Sequence, residues 1–92
     1  VCDVFSERID QAQTAAPGAK GFGDHRKLLE SKTADAVLIA TPDHWHTEIA
    51  IDALNAGKDV YVEKPLTLTI EEGPRIVRAA RVNSRICQVG MQ

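Results

Sequence analysis

The chain has 92 residues, of which 43% are hydrophobic and 26% are charged. This composition is typical of a small globular domain and excludes a disordered chain, because enough apolar surface is present to form a core. The formal net charge is −2, so neither a nucleic acid nor a membrane is an expected partner. The longest apolar run covers only residues 36–40 and is far too short to span a bilayer.

Strand-like and helical segments alternate along the chain. Apolar residues recur every three or four positions in the helical segments, whereas residues 35–40 form an apolar run that predicts a strand covered on both faces. Alternation of this kind predicts βαβ units and a mostly parallel sheet. The predicted elements are strands over residues 1–4, 35–40, 59–63 and 85–91, a very short strand around Phe22, and helices over residues 6–16, 25–32, 43–57 and 69–83.

Residues with capping preferences mark most of the predicted helix ends. Ser6, Asp24 and Asp43 are the predicted N-caps of the first three helices, because their side-chain oxygens can accept hydrogen bonds from unpaired backbone N–H groups. Pro17 and the glycine after it are expected to end the first helix, and Gly57 is the predicted left-handed residue after the third.

The start of the fourth helix is ambiguous. Thr69 and Glu72 have the spacing of a capping box, which predicts a start at residue 69. Pro74 then falls within the first turns, where it would remove the hydrogen bond to the carbonyl of Ile70. Either this turn is kinked or the regular helix begins near Gly73.

Polar, titratable and aromatic residues follow the predicted strands. In an open parallel sheet, ligands bind beyond the carboxyl ends of the strands, so residues in these positions are the candidates for a site. They are Asp3 after the first strand, residues 41–46 and residues 63–65 after the two central strands, and residues 90–92 after the last.

Residues 41–46, with the sequence TPDHWH, contain two histidines beside an aspartate. Two positions at a helix start place the side chains of His44 and His46 about 200° apart around the axis, so they diverge and no metal site is predicted. The helix N-terminus instead offers free N–H groups that suit a phosphate or a polarised carbonyl. An N-capping aspartate with an exposed histidine and a packed Trp45 is the alternative that requires no ligand.

Glu63, Lys64 and Pro65 directly follow a strand that is expected to be buried. A partly desolvated Lys64 could act as a proton donor, a proton acceptor or a nucleophile, and Glu63 could instead hold its charged form. A lysine that faces solvent at a turn is the alternative. The Lys64–Pro65 peptide bond is a candidate for the cis form.

Asp3 occupies the position of an acidic residue that binds a ribose hydroxyl in dinucleotide-binding folds. The glycine-rich motif G-x-G-x-x-G is not found, because Gly18, Gly21 and Gly23 have a different spacing and follow a helix. Asp3 is therefore ambiguous by itself, since aspartate is common at any turn between a strand and a helix.

The motifs of residues 36–73 together resemble one family. Thr-Pro-x-x-x-His at residues 41–46, a helix that ends in Ala-Gly-Lys, and Glu-Lys-Pro at residues 63–65 have the spacing found in the Gfo/Idh/MocA family of NAD(P)-dependent oxidoreductases. The resemblance extends over nearly the whole chain. It implies an α/β fold with a Rossmann-like doubly wound parallel sheet, of which residues 1–92 form a part. The first strand with its glycine-rich loop, and a C-terminal domain for substrate binding and oligomerisation, are expected outside this chain.

The resemblance also implies roles for individual residues. Asp3 would hold the adenosine ribose, and Glu63 would lie near the nicotinamide ribose. Lys64 would be the catalytic residue that contacts the substrate hydroxyl and assists proton transfer. No metal ligand is implied. The cofactor-binding residues that the resemblance implies are Asp3, Thr41, Pro42, His46, Glu63, Lys64, Pro65 and Gly90.

By this resemblance the chain is the cofactor-binding part of an NAD(P)-dependent oxidoreductase that acts on a CH–OH group of a sugar, polyol or related substrate. NAD is favoured, although Arg8 is close enough to Asp3 to leave NADP open. The alternatives are a non-catalytic nucleotide-binding module, an NAD-dependent glycoside hydrolase of the same family, and a lyase that forms a Schiff base at Lys64.

The second catalytic motif of the family lies in the C-terminal domain, so this chain alone is expected to be inactive. The full-length protein is expected to be a cytoplasmic homo-oligomer, with periplasmic export left open. Without the first strand, two inner strands lose a ladder partner, so we expect the isolated chain to be marginally stable. Cys2 and Cys87 fall on separate strands and are expected to be unpaired core thiols.

Overall fold

A computed structural model describes the whole chain, residues 1–92. It contains two compact units, Val1–Thr33 and Ala34–Gln92, which are considered separately. None of the helices is long and apolar enough to cross a membrane. The alternation of strands and helices confirms the predicted α/β class. The elements are α1 (Ser6–Ala15) and α2 (His25–Glu30) in the smaller unit, and β1 (Ala36–Ile39), α3 (His46–Asn55), β2 (Asp59–Val62), α4 (Glu72–Val82) and β3 (Cys87–Val89) in the larger unit.

In the smaller unit, the predicted first strand is reduced to a single parallel bridge between Cys2 and Phe22. Phe22 donates its N–H to the Val1 carbonyl at 2.9 Å and accepts the Asp3 N–H at 3.1 Å. A regular strand requires a longer ladder than this one bridge provides. The segments at residues 1–4 and around Phe22 therefore pair with each other but do not form the predicted strands.

The predicted cap of α1 is wrong and that of α2 is confirmed. The N-cap of α1 is Phe5, and Ser6 is already the first helical residue. The Asp3 carboxylate organises this start instead, since its Oδ1 accepts the Phe5 N–H at 2.9 Å. Asp24 caps α2 through a hydrogen bond from a backbone N–H of the first turn. Lys32, with φ of 54°, follows the end of that helix, which is shorter than predicted.

The three strands of the larger unit are parallel and lie in the order β1–β2–β3. Helix α3 packs against β1 and β2, and α4 packs against α3. The core contains Ile39, Val60 and Val62, which point to one face of the sheet, together with Leu54 of α3. Each fully buried aliphatic side chain of this kind stabilises a fold by about 1.5–3 kcal/mol.

The opposite face of this sheet is open, so the prediction that β1 is covered on both faces is wrong. Leu38 is 68% exposed, and Tyr61 is exposed as well. Side chains alternate between the two faces of a strand, and α3 covers only one of those faces. The strand positions are otherwise confirmed, except that β3 is shorter than the predicted residues 85–91.

Helix α3 begins differently from the prediction and ends as predicted. Residues Asp43–Trp45 form a 3₁₀ turn before the α-helical bonding begins, so Trp45 takes the N-cap position without a side-chain hydrogen bond. Asp43 is therefore not the cap of α3. At the other end Gly57 has φ of 78°. The N–H groups of Gly57 and of the next residue donate back to carbonyls of α3 at 3.0 Å, which is the pattern of a Schellman motif.

The regular part of α4 begins at Glu72, which confirms the second of the two predicted alternatives. The Gly73 N–H donates to the Ile70 carbonyl at 3.3 Å. Pro74 then lies in the first turn, where no intrahelical partner is needed for a backbone N–H. The proline is accommodated without breaking the helix.

Neither cysteine forms a disulfide, which confirms the expected free thiols. Cys87 is half-buried, but Cys2 is exposed, so its predicted core position is wrong. The reason is that Cys2 belongs to a single bridge and not to a strand inside a covered sheet.

Leu54→Ala is expected to destabilise the protein by about 2–5 kcal/mol, because this side chain is 0% exposed and its truncation leaves a cavity. Leu68→Ala is the matched control. Leu68 is 57% exposed, so its truncation is expected to change stability by less than about 0.5 kcal/mol. Urea unfolding of both variants of the intact protein measures the difference. Equal effects of the two substitutions would contradict this description of the core.

Candidate active site at the carboxyl edge of the sheet

The parallel register places the ends of the three strands in one row. Ile39 of β1 lies beside Val62 of β2, which lies beside Val89 of β3. The residues that follow each strand therefore emerge at the same edge of the sheet. The predicted site residues that the structure brings to this edge are Thr41, Pro42, Glu63, Lys64, Pro65 and Gly90.

Backbone hydrogen bonds continue the sheet by one residue beyond the strands at this edge. The Glu63 N–H donates to the Ile39 carbonyl at 2.9 Å, and the Gly90 N–H donates to the Val62 carbonyl at 2.8 Å. The backbones of Glu63 and Gly90 are therefore fixed by hydrogen bonds to the sheet, although both residues lie just outside the strands. The backbone position of Lys64 follows from that of Glu63, its neighbour in the chain.

Gly90 is buried and leaves room for two polar side chains from the β2 segment. A Cβ atom at this position would lie 2.8 Å from Oε2 of Glu63 and 2.9 Å from Oη of Tyr61. The Glu63 carboxylate and the Tyr61 hydroxyl therefore lie close together beside the Gly90 backbone. Both groups can form hydrogen bonds with the hydroxyl groups of a ligand. Tyr61 was not predicted as a site residue. Its position two residues before Glu63 could have indicated that both side chains share one face.

Lys64 is exposed, so of the two alternatives that the sequence left open, the structure has the lysine that faces solvent and not the partly desolvated one. The ammonium group of Lys64 makes no hydrogen bond or ion pair within the chain. The Lys64–Pro65 peptide bond, a candidate for the cis form in the sequence, is cis. Lys64 thus lies at the edge of the sheet, next to the hydrogen-bonded backbone of Glu63, with an unpaired side chain.

His46 joins the residues after β1 to the residues after β2. Its ring is 1% exposed, with Nδ1 2.8 Å from the Pro65 carbonyl oxygen and Nε2 2.9 Å from the Thr41 carbonyl oxygen. A neutral imidazole carries one N–H, so both contacts are hydrogen bonds only when both nitrogens are protonated. Neither ring nitrogen is free for a metal ion or another ligand.

The Glu72 carboxylate joins the start of α4 to the first turn of α3. Its Oε2 accepts the Thr47 hydroxyl at 2.8 Å, the Leu68 N–H at 2.9 Å and the Thr69 N–H at 3.4 Å. The hydrogen bond from Thr47, followed by that from Leu68, holds the pKa of Glu72 below the ordinary glutamate value. The bond from Thr69 confirms one half of the predicted capping box. The link to Thr47 was not predicted, although a threonine on the buried face of α3 could have indicated a polar partner.

Asp3 lies in the smaller unit, directly before α1. Its Oδ1 accepts the Phe5 N–H, and its Oδ2 lies 3.9 Å from Nη1 of Arg8. The predicted proximity of Arg8 to Asp3 is confirmed. A carboxylate accepts more than one hydrogen bond per oxygen, so Asp3 retains capacity to bind ligand hydroxyl groups beside an exposed guanidinium.

Two other kinds of chemistry lack a suitable arrangement in this chain. No group of three or more His, Cys, Asp or Glu side chains could hold a metal ion. Partial desolvation raises the pKa of both thiols, and at the more exposed Cys2 the charge of Asp24 raises the pKa further. A raised pKa disfavours the thiolate that a cysteine nucleophile requires. The edge that carries Glu63 and Lys64 is therefore the candidate site.

Residues 1–91 match the family model for Gfo/Idh/MocA proteins. The description of that family is "Oxidoreductase family, NAD-binding Rossmann fold". The match covers nearly the whole chain, including every motif on which the resemblance was based.

Characterised relatives and a solved structure are similar to the chain over nearly all of its length. Inositol 2-dehydrogenase of Salmonella paratyphi B is 35% identical, over 98% of this chain and 27% of the relative. An alpha-N-acetylgalactosaminidase of Shewanella oneidensis is 40% identical, over 97% of this chain and 21% of the relative. The structure of the WlbA dehydrogenase from Bordetella pertussis in complex with NADH and UDP-GlcNAcA gives a TM-score of 0.91 and 34% identity, over 97% of this chain and 25% of that chain. The chain thus spans about a quarter of the length of the relatives it matches.

The lowered pKa of Glu72 predicts a pH-dependent contribution to stability. A carboxyl group whose pKa is lower in the folded than in the unfolded chain stabilises the fold fully above the unfolded-state pKa, and this contribution is lost as pH falls through the folded-state pKa. Glu72→Gln is therefore expected to be less stable than the parent at about pH 7, with a difference that shrinks towards about pH 3. Urea midpoints across this range measure it.

Glu71→Gln is the matched control for this prediction. The Glu71 side chain is exposed and accepts no hydrogen bond within the chain, so its replacement is expected to leave the midpoint unchanged at each pH. A stability difference for Glu72→Gln that does not vary with pH would contradict the role given to the ionised carboxylate.

Proposed function

Because this chain belongs to the oxidoreductase family with an NAD-binding Rossmann fold, we propose that it is the cofactor-binding part of an enzyme acting on a CH–OH group of a sugar, polyol or related substrate. The observation that carries the proposal is the row of Glu63, Lys64 and Gly90 at the carboxyl edge of a parallel sheet. This edge is where ligands bind in open α/β folds. The similarity to an inositol 2-dehydrogenase supports the class of substrate.

The residues at this edge fit the nicotinamide half of a dinucleotide. Because Gly90 has no side chain, the Glu63 carboxylate beside it is left accessible. This carboxylate would accept hydrogen bonds from ribose hydroxyl groups. A bound dinucleotide supplies the site that accepts or donates a hydride. The proposed cofactor-binding residues of the larger unit are Thr41, Pro42, Glu63, Lys64, Pro65 and Gly90, with His46 acting on them indirectly.

Lys64 would handle the proton of the substrate hydroxyl. Its side chain is exposed and has no partner within the chain, so it is free to reach a substrate. In its neutral form Nζ accepts the hydroxyl proton while the carbon gives up its hydrogen with both bonding electrons. In the reverse direction the ammonium group returns that proton to the oxygen of the carbonyl that is reduced.

NAD is favoured over NADP at the adenosine end. The Asp3 carboxylate would accept hydrogen bonds from the ribose hydroxyls and repel a 2′-phosphate. Arg8, with Nη1 3.9 Å from Oδ2 of Asp3, is the feature that would favour a phosphate. The similar dehydrogenase structure was determined with NADH bound, which supports NAD.

The intact enzyme would be a cytoplasmic homo-oligomer whose C-terminal domain completes the active site. A sugar substrate is supported by the UDP-GlcNAcA bound in the similar structure. Since the chain spans about a quarter of its relatives, we expect the chain alone to be inactive.

Glycoside hydrolysis is the second candidate function, because one relative is an alpha-N-acetylgalactosaminidase that is 40% identical. The same edge of the sheet would then support a transient hydride transfer that leaves the dinucleotide in its starting state. The two functions differ in one readout. A dehydrogenase converts one dinucleotide for each substrate, whereas a hydrolase releases sugar without net conversion of the dinucleotide.

Lys64→Met in the intact enzyme is expected to lower kcat by about 10²- to 10⁴-fold, because the proton transfer loses its positioned acceptor. The Kd for NADH is expected to rise by a smaller factor than kcat falls, since the main effect lies in the chemical step. Absorbance of NADH and release of sugar are followed together on polyols, nucleotide sugars and aryl glycosides. Lys20→Met, at an exposed position of the smaller unit, is the control. An unchanged kcat would overturn the role of Lys64, and sugar release without NADH formation would select the hydrolase.

Gly90→Ala is expected to weaken NADH binding by about tenfold, because the new Cβ displaces the Glu63 carboxylate from the ligand side of the edge. The fold should tolerate the change, since the atoms it meets are the ends of flexible side chains. Gly73→Ala is the matched control, because a Cβ at Gly73 meets no atom within 4 Å. Fluorescence titration with NADH measures both variants. Equal affinities of the two variants would argue against a cofactor contact at Glu63.

A further inference from the structure

We infer that His46 and Glu72 are positioning residues that hold the segment following β2, residues 63–69, so that Lys64 is presented at a fixed place. This segment is called the lysine loop below. The inference rests on the proposed function, in which Lys64 is the catalytic residue. It assigns His46 an indirect role in place of the direct cofactor contact that the family resemblance implied.

The first anchor is the His46 ring. Nδ1 contacts the carbonyl of Pro65, the residue directly after Lys64, at 2.8 Å, and Nε2 contacts the carbonyl of Thr41 at 2.9 Å. The lysine loop is thereby joined to the residues that follow β1. The ring is 1% exposed, so it has neither a free nitrogen nor an open face to offer a cofactor. Its polar atoms are used entirely within the chain.

The second anchor is the Glu72 carboxylate at the far end of the lysine loop. One oxygen accepts the Leu68 and Thr69 N–H groups, and the same oxygen accepts the hydroxyl of Thr47. Thr47 is the residue after His46. Two adjacent residues in the first turn of α3 therefore hold the lysine loop. His46 contacts the loop directly at Pro65, and Thr47 holds its far end through Glu72.

Both anchors lie on the C-terminal side of the catalytic lysine. On its N-terminal side, the sheet holds the backbone. The Glu63 N–H donates to the Ile39 carbonyl at 2.9 Å, and the Pro65 carbonyl meets His46. Lys64 itself makes no contact that would fix its side chain. Its placement relative to a substrate thus depends on the backbone, and a shift of about 1 Å in a reacting group can cost about 10²-fold in rate.

A direct cofactor contact and a positioning role differ in their kinetic effects. A group that contacts the cofactor contributes to its Kd, whereas a group that only places Lys64 affects kcat with little effect on NADH affinity. His46→Leu removes both ring contacts, and His46→Gln keeps an amide that can donate to one carbonyl. In the intact enzyme, His46→Leu is expected to lower kcat at least about tenfold, and His46→Gln by clearly less. The Kd for NADH is expected to change less than about threefold in both.

His44→Gln is the matched control, because the neighbouring histidine is exposed and lies outside the lysine loop and its anchors. It is expected to leave both kcat and Kd unchanged. An increase in the Kd for NADH that accounts for the whole loss of kcat/KM in His46→Leu would overturn the positioning role. Equal kcat values for His46→Leu and the parent would overturn it as well.

Glu72 provides an independent test where His46→Leu does not fold. Glu72→Ala is expected to lower kcat several-fold and to accelerate amide hydrogen exchange in the lysine loop, while Glu72→Gln, whose amide oxygen still accepts, restores part of both. Glu71→Ala is the control. Unchanged exchange in the loop of Glu72→Ala would overturn the anchor, whatever its activity.

Hydrogen exchange also separates this inference from the proposed function. If Lys64→Met retains full kcat, the catalytic role of the lysine fails. Faster exchange in Glu72→Ala would then still support the Glu72 anchor on the loop, but a loss of kcat without any change in exchange would contradict that anchor. Faster exchange together with lower kcat and an unchanged Kd is the result expected when both proposals hold.

Discussion

The larger unit depends on the parallel register of its three strands. Pairing Ile39 with Val62 and Val62 with Val89 aligns three carboxyl ends in one row. Parallel strands cannot be joined by a tight turn, so each connection contains a helix that returns the chain to the starting edge. This constraint explains why Glu63 and Gly90 share one edge although they are far apart in sequence. A shift of the register by one residue would move the Glu63 side chain to the opposite face.

The first turn of α3 supplies polar groups to an otherwise apolar core. His46 and Thr47 are the buried polar residues of the chain, and no buried side-chain nitrogen or oxygen lacks a hydrogen-bond partner. An unsatisfied buried polar group costs about 1–3 kcal/mol, so these two side chains strongly favour the arrangement in which their partners are in place. Those partners belong to the segments after β1 and β2. The helix that covers the sheet therefore also organises the carboxyl edge of the sheet.

At this edge the backbone around Lys64 is held by hydrogen bonds, whereas the Lys64 side chain is not. The backbone on each side of Lys64 is held, by Ile39 on one side and by His46 on the other, whereas the lysine side chain is exposed and unpaired. Glu63 lies against the space left by Gly90. The structure thus fixes the backbone from which the Lys64 side chain extends and leaves the charged end of that side chain exposed.

Local sequence patterns alone determined the α/β class, the order of the elements, the glycine after α3 and the family, because each depends on residues close together in the chain. The helix start near Gly73 was one of two alternatives that the Glu72 and Pro74 positions allowed. Only the tertiary structure decided the exposure of Lys64, the loss of the cap predicted at Asp43, and the backbone partners of the His46 ring. His46 contacts a carbonyl 19 residues away, and Thr47 contacts a carboxylate 25 residues away. Periodicity and capping rules describe neighbours within a few positions, whereas these contacts exist only because parallel strands and their crossover helices bring distant segments to one edge.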